Sequence, residues 1–168
     1  EVTTESTFTD DEISALHDWV DGGGSLLVFS EHAPLDQAIN PRLQRFGMSS
    51  SIGYVVDHEH ADKSCGKPGW LVYSRDNGLL NVEHPIVQGR NESEAINRVV
   101  TFGGSSLSGE GYSTLFRLSA SARNEMHPTG VGPIGMGTSQ ALAGNFGDGK
   151  IVAFGDSNGF TAMVFTGE

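Results

Sequence analysis

Apolar positions along the chain fall into short blocks, and their spacing changes from block to block. From residue 10 the spacing is helical: Ile13, Leu16 and Val20 share one face, with Trp19 beside them. Thr9 precedes this block and Glu12 follows it by three residues, which predicts a capping box. Asp10 and Asp11 add negative charge where the helix dipole favours it. Gly22, Gly23 and Gly24 end the pattern, because glycine takes the left-handed C-terminal conformation without a steric cost. The next block, Ser25 to Ser30, is apolar without alternation, which predicts a parallel strand buried on both faces. It stops at Glu31-His32-Ala33-Pro34. A second helix is predicted within Leu35 to Phe46, with Leu35, Ile39, Leu43 and Phe46 on one side and Pro41 interrupting it or starting a new turn.

The middle of the chain is less regular. Ser51 to Val56, Trp70 to Tyr73, Ile96 to Phe102 and Leu115 to Leu118 read as strands. Asp57 to Pro68 reads as a polar loop, and Asn77 to Arg90 reads as a loop containing His84-Pro85. Arg123 to Gly137 is rich in glycine and proline and reads as a long loop. Gln140 to Asn145 and Lys150 to Phe154 are predicted strands joined at Phe146-Gly147-Asp148-Gly149, where Asp-Gly signals a hairpin. A short helix is predicted from Phe160. With no internal repeat and no linker, residues 1–168 read as a single domain.

Composition narrows the class. Lys and Arg number 10 against 21 Asp and Glu, a net charge of −11, which argues against nucleic-acid or anionic-membrane partners. No apolar run approaches the roughly 20 residues of a membrane span. Cys65 is the one cysteine, so no intrachain disulfide forms. The polar stretch Glu1 to Thr7 lacks a signal-peptide pattern, leaving a cytoplasmic chain and a secreted one freed of its signal equally open.

Three segments carry a family resemblance. Phe8 to Ile13, running through Trp19-Val20-Asp21-Gly22-Gly23-Gly24 to Val28, resembles the helix-glycine-strand unit of class I glutamine-amidotransferase-like domains, nearest to trehalose-utilisation ThuA-like proteins. His84-Pro85-Ile86-Val87-Gln88-Gly89 and Gly149-Lys150-Ile151-Val152-Ala153-Phe154-Gly155-Asp156 are similar to further pieces of that group. The resemblance implies an α/β fold with a flavodoxin-like or amidotransferase-like, mostly parallel sheet flanked by helices, ending in a β-hairpin. Such domains open with a strand-helix-strand unit, and only eight residues precede the capped helix here, so the resemblance implies a shortened version or a fragment lacking the first strands. No Gly-x-Cys-x-Gly elbow is present, and Cys65 sits in a polar loop, so the amidotransferase nucleophile is missing.

In a parallel sheet, ligands bind outside the carboxyl ends of the strands. One predicted strand end presents Glu31 and His32, and another presents Asp156, Ser157 and Asn158. Should those strands be neighbours, Glu31, His32 and Asp156 form a candidate acid, base and orienter, or a site for a divalent metal. The bland alternative is that Glu31 and Asp156 cap following helices. Ser157, in a Gly-Asp-Ser block resembling that of SGNH esterases, is a candidate nucleophile, with His32, His84 or His127 to be brought in by the fold. Asn158, His84 and Trp70 are candidate ligand-binding residues. His58, His60 and Asp62 are a candidate metal set, since an H-x-H pair on an extended segment points both imidazoles to one side.

Three functions remain open from the residues. One is a small-ligand-binding domain, carbohydrate-related by the resemblance. A second is a hydrolase of esters, lactones or glycosides that uses Glu31, His32 and Asp156 with a metal, or Ser157. A third is a structural or interaction module of a larger protein, self-associating as a homodimer through an exposed sheet edge.

Overall fold

The computed structural model describes residues 8–126 and 135–160. In chain order its elements are α1 (Asp10–Asp21), β1 (Ser25–Phe29), α2 (Asp36–Arg45), β2 (Met48–Ser50), β3 (Tyr54–Val56), β4 (Trp70–Ser74), α3 (Pro85–Gln88), β5 (Arg98–Phe102), β6 (Leu107–Gly109), β7 (Ser113–Arg117), β8 (Arg123–Glu125), β9 (Ser139–Phe146) and β10 (Gly149–Phe154).

Helix α1 starts at its capping box. The backbone N–H of Thr9 donates to Glu12 Oε2 at 2.8 Å, and the N–H of Glu12 donates back to Thr9 Oγ1 at 3.3 Å. Two of the helix's orphan donors are thereby satisfied. Gly22 caps the far end, and Gly23 takes a φ of 107° that a side chain would resist. Ile13 and Val20 are buried, whereas Trp19 is 54% exposed and lies over Gly24. Helix α2 runs through Pro41, which forgoes one backbone donor without ending the helix.

The main sheet has the order β1-β10-β9-β6-β2, with β7 also on β9. Only the β1–β10 pair is parallel, with Phe29 opposite Phe154; the other pairings in the sheet are antiparallel. The β9–β10 hairpin closes through Gly147 and Asp148, with Gly147 at a φ of 54°. A glycine at the first turn position suits the primed turns that match strand twist. Alternation along β9 sorts its side chains between two cores: Leu142 faces one, and Ala141 and Ala143 face the other. On the first face Val20 of α1 and Ile39 and Leu43 of α2 pack with Leu142, Ile151 and Ala153. On the second face the helical contribution among the described residues is limited to Val87 of the short α3. The β4–β5 ladder supplies Leu71 and Tyr73, which pack with Leu115, Phe116, Ala141 and Ala143.

This overturns the expected flavodoxin-like or amidotransferase-like parallel sheet with helices on both faces. The sheet is mixed and curled, with more strand than helix in the chain. The physical reason is that antiparallel neighbours need no crossover helix: β9 and β10 join through a tight turn, and β2, β6 and β7 find their antiparallel partners through long-range pairings. Three local expectations also change. The strand read at 51–56 shortens to β3 at Tyr54–Val56, and β2 at Met48–Ser50 lies just before it, where no strand was expected. The long loop read at 123–137 contains β8, paired with β3. The strand β1 is parallel but lies at the sheet edge, and none of its residues is fully buried. His127 lies outside the described residues, as does any helix beyond Phe160.

Candidate functional site

Because β1 and β10 run parallel in register, their ends place Glu31 beside Asp156, each two residues beyond the paired Phe29 and Phe154. Both carboxylates are buried, at 5% exposure each. A buried carboxylate needs donors, and each finds them in the loop after β10. Glu31 Oε2 accepts from Ser157 N at 3.2 Å, Ser157 Oγ at 2.9 Å and Asn158 Nδ2 at 3.1 Å. Its Oε1 accepts from His32 N at 3.0 Å. Asp156 accepts from the N–H of Phe102 through Oδ2 and from Asn158 N at 2.8 Å through Oδ1. His32 donates Nδ1–H to Ala33 O at 2.7 Å, which leaves Nε2 facing Glu31 Oε1 at 3.7 Å.

Burial raises the pKa of Glu31 above its ordinary value; the negative charge of Asp156 adds to the rise, and the His32 N–H opposes it. Burial likewise raises Asp156, against the hydrogen bonds from Phe102 and Asn158. The structure thus brings together Glu31, His32, Asp156, Ser157 and Asn158. Of the five, Glu31 and Asp156 are buried, whereas His32, Ser157 and Asn158 are half-buried. The segment from Phe102 to Ser106 crosses the end of β10, where Ser105 N donates to Gly155 O at 2.7 Å and Ser105 Oγ reaches Ser30 Oγ at 3.3 Å. The hydroxyl of Ser157 donates to Glu31, and among the described residues no imidazole accepts from it.

A cavity of about 100 Å³ remains beside Asp156, lined by Thr101, Gln140, Phe154 and Phe160. Its wall is a buried network in which Tyr73 Oη and Thr101 Oγ1 both donate to Gln140 Oε1 at 2.7 Å. That volume holds a few waters.

The other candidates stand apart. Segment 58–60 is a turn and not an extended strand, with His58 exposed and His60 half-buried. His60 Nδ1 pairs with Asp57 Oδ2 at 2.9 Å, and Asp62 pairs with Arg98 Nη2 at 2.6 Å. The expected His58, His60 and Asp62 metal set is therefore not assembled, and among the described residues no three His, Cys, Asp or Glu side chains converge as a metal site. His84 caps α3, its Nδ1 accepting from Ile86 N at 3.2 Å. Trp70 packs edge-on against Phe102 with ring centroids 4.8 Å apart.

A residue the sequence reading passed over has a larger structural role. Asp57, 2% exposed, accepts from Ser119 Oγ, from Ser121 Oγ at 2.9 Å, from Glu59 N at 2.9 Å and from His60. Its burial raises its pKa, but the donors outweigh that and the net shift is downward. Only its place next to β3 hinted at this.

Fold and site together define a mixed-sheet α/β domain with a hydrogen-bonded polar cluster at its parallel strand ends. No family model and no curated protein matches the chain. Among solved structures it is similar to one named mmIFT52 N-terminal domain, with a TM-score of 0.65 and 20% identity over 94% of this chain and 64% of that one. It is also similar to exo-beta-1,4-mannosidase Op5Man5 from Opitutaceae bacterium strain TAV5, with a TM-score of 0.46 and 13% identity over 98% of this chain and 21% of that one. The chain spans less than two thirds of either. The first likeness concerns fold alone, and the second is too slight to argue from. Neither name points to the amidotransferase-like group. Among the described residues no helix is long and apolar enough to cross a membrane.

Proposed function

We propose that this chain is an interaction module that takes up an extended strand of a different protein along the outer edge of β1. One observation carries the reading: β1 has the sequence of a buried strand and the position of an edge strand. Ser25-Leu26-Leu27-Val28-Phe29 contains no charge and no proline, the usual guards of an edge, and pairs only with β10 among the described residues. Leu27 is 52% exposed, and on the same face Phe29 stacks with Phe160, itself 58% exposed, at 4.6 Å. The β4–β5 ladder that covers this face over β9 and β7 leaves that patch open. An added strand would pair with the outer backbone groups of β1 and lay alternate apolar side chains on Leu27 and Phe29.

The net charge of −11 argues for a neutral or basic partner and against a second copy of the chain. The hydrogen bond from the Ser157 hydroxyl to Glu31 supports this reading over a serine-dependent hydrolase. The mmIFT52 match is itself an N-terminal domain, so this fold also serves as one part of a larger chain.

The test uses a labelled, basic peptide of about ten residues with alternating valine and threonine, long enough to lie along one strand. Saturable binding is expected, lost in Leu27→Lys and lost when alternate peptide residues are proline, with the melting temperature of the variant close to that of the parent. Binding indifferent to proline or to Leu27→Lys would sink the reading. A dimer that Leu27→Lys dissociates would replace the foreign strand with a second copy.

A further inference from the structure

A cavity of about 240 Å³ lies on the far side of the main sheet from β1, where the segment after β4 runs along β7. Arg75 and Arg117 line it, together with Asn81, Glu83 and Thr114. Their frame is well tied. Arg117 N donates to Leu79 O at 2.8 Å, Asn81 N to Leu115 O at 2.9 Å, Asn81 Nδ2 to Thr114 O at 2.9 Å, and Arg75 N to Asn97 O at 3.1 Å. The turn between the arginine and the rest of the segment uses Gly78 at a φ of 70°. The backbone that carries one arginine is therefore bonded to the loop that carries the other.

Both arginines are exposed, and neither has an ion pair among the described residues. That is unexpected in a chain with 21 acidic residues against 10 basic ones. Arg90 and Arg98, by contrast, each hold a carboxylate at 2.6 Å. Two unneutralised guanidinium groups on one cavity make a locally positive site in an acidic protein. A guanidinium fork matches the oxygens of a phosphoryl or carboxylate group, and two forks from separate elements can grip one such group from two sides. Glu83 brings the opposite charge to the same wall and would accept from a hydroxyl placed beside the anion.

We propose that this cavity binds the phosphoryl group of a small hydroxylated phosphate monoester, with Arg75 and Arg117 on the phosphoryl oxygens and Glu83 on a neighbouring hydroxyl. The volume suits the headgroup and its adjoining carbon rather than a whole cofactor, and the single site with its acid excludes a nucleic-acid track. This inference stands apart from the strand-docking reading, since β10 and β9 lie between β1 and β7.

The probes are inorganic phosphate and glycerol 3-phosphate, titrated at low ionic strength into the isotopically labelled full chain. Saturable shifts are expected at the amides of Gly78, Leu79, Asn81 and Arg117. Affinity should fall about tenfold in Arg75→Gln and again in Arg117→Gln, and it should fall with added salt. Glycerol 3-phosphate should bind more tightly than phosphate, and Glu83→Gln should remove that difference while leaving phosphate affinity in place or improving it. The two arginine variants change exposed side chains, so an unaltered circular dichroism spectrum will confirm that they fold. Shifts that never saturate, that centre elsewhere, or that ignore both substitutions would overturn the proposal.

Discussion

Glu31 and Asp156 occupy equivalent places at the ends of two parallel strands, and the same loop, Ser157-Asn158, supplies donors to both. Each carboxylate is out of water and held by amides and hydroxyls. The pair that the sequence offers as a catalytic dyad is tied in the fold to the loop that follows β10.

The pair sets a pH dependence. Burial raises both pKa values, with the charge of Asp156 adding to the rise at Glu31. A raised folded pKa contributes stability that is complete below the unfolded values of 4.5 and 3.8 and is lost as pH rises through the folded ones. Glu31→Gln removes one proton-binding group. The stability advantage of the parent over this variant should be largest near pH 4 and shrink towards pH 7, as read from urea midpoints across that range. An advantage that grows with pH would contradict the assignment.

Asp57 has the opposite sign. Its donors hold it below its ordinary 3.8, so its contribution is present above that value and is lost as pH falls through the folded one. Asp57→Asn turns acceptor into donor opposite Ser119, Ser121 and His60. It should cost about 3 kcal/mol at neutral pH by urea denaturation, with the cost diminishing in acid.

The crossing of Phe102 to Ser106 over β10 depends on a missing side chain. A methyl group on Gly155 would drive into the backbone oxygen of Ser105, and one on Gly104 would meet the backbone oxygen of Gly155. Gly155→Ala should therefore destabilise by more than about 3 kcal/mol, through a backbone clash that no rotamer relieves. Gly135→Ala, which meets nothing within 4 Å, is the control and should be close to neutral in thermal melts.

Much of the local structure is legible in the sequence, because local signals specify it. Thr9 and Glu12 announce the start of α1, and the Asp148-Gly149 signal announces the β9–β10 hairpin, although the turn closes one residue earlier, at Gly147-Asp148. The apolar runs at residues 25–30 and 150–154 mark the two strands whose ends carry Glu31 and Asp156. The rest depends on pairings that no single segment encodes. Continuous apolar character suggests burial on both faces, yet β1 ends up at an edge with Leu27 half exposed. The short β6 and β8 carry too few apolar residues to show a period, and both form because the fold brings partners to them, β2 and β9 to β6 and β3 to β8. Ser119 and Ser121 look like ordinary loop residues until the fold brings them to Asp57. The H-x-H pair fails as a ligand set for a similar reason, since Asp57 turns the chain at residue 58 and takes His60 for itself.

The pairing of β1 has a further consequence for how the protein is made. Its partner, β10, lies at the other end of the described chain, with Ser25 facing Lys150 and Phe29 facing Phe154. During synthesis α1 can form at once from its own capping signals, but β1 emerges as an uncharged apolar segment without its partner until Gly149 to Phe154 has left the ribosome. Until then the strand depends on α1 and α2, or on a chaperone, to shield it from other chains.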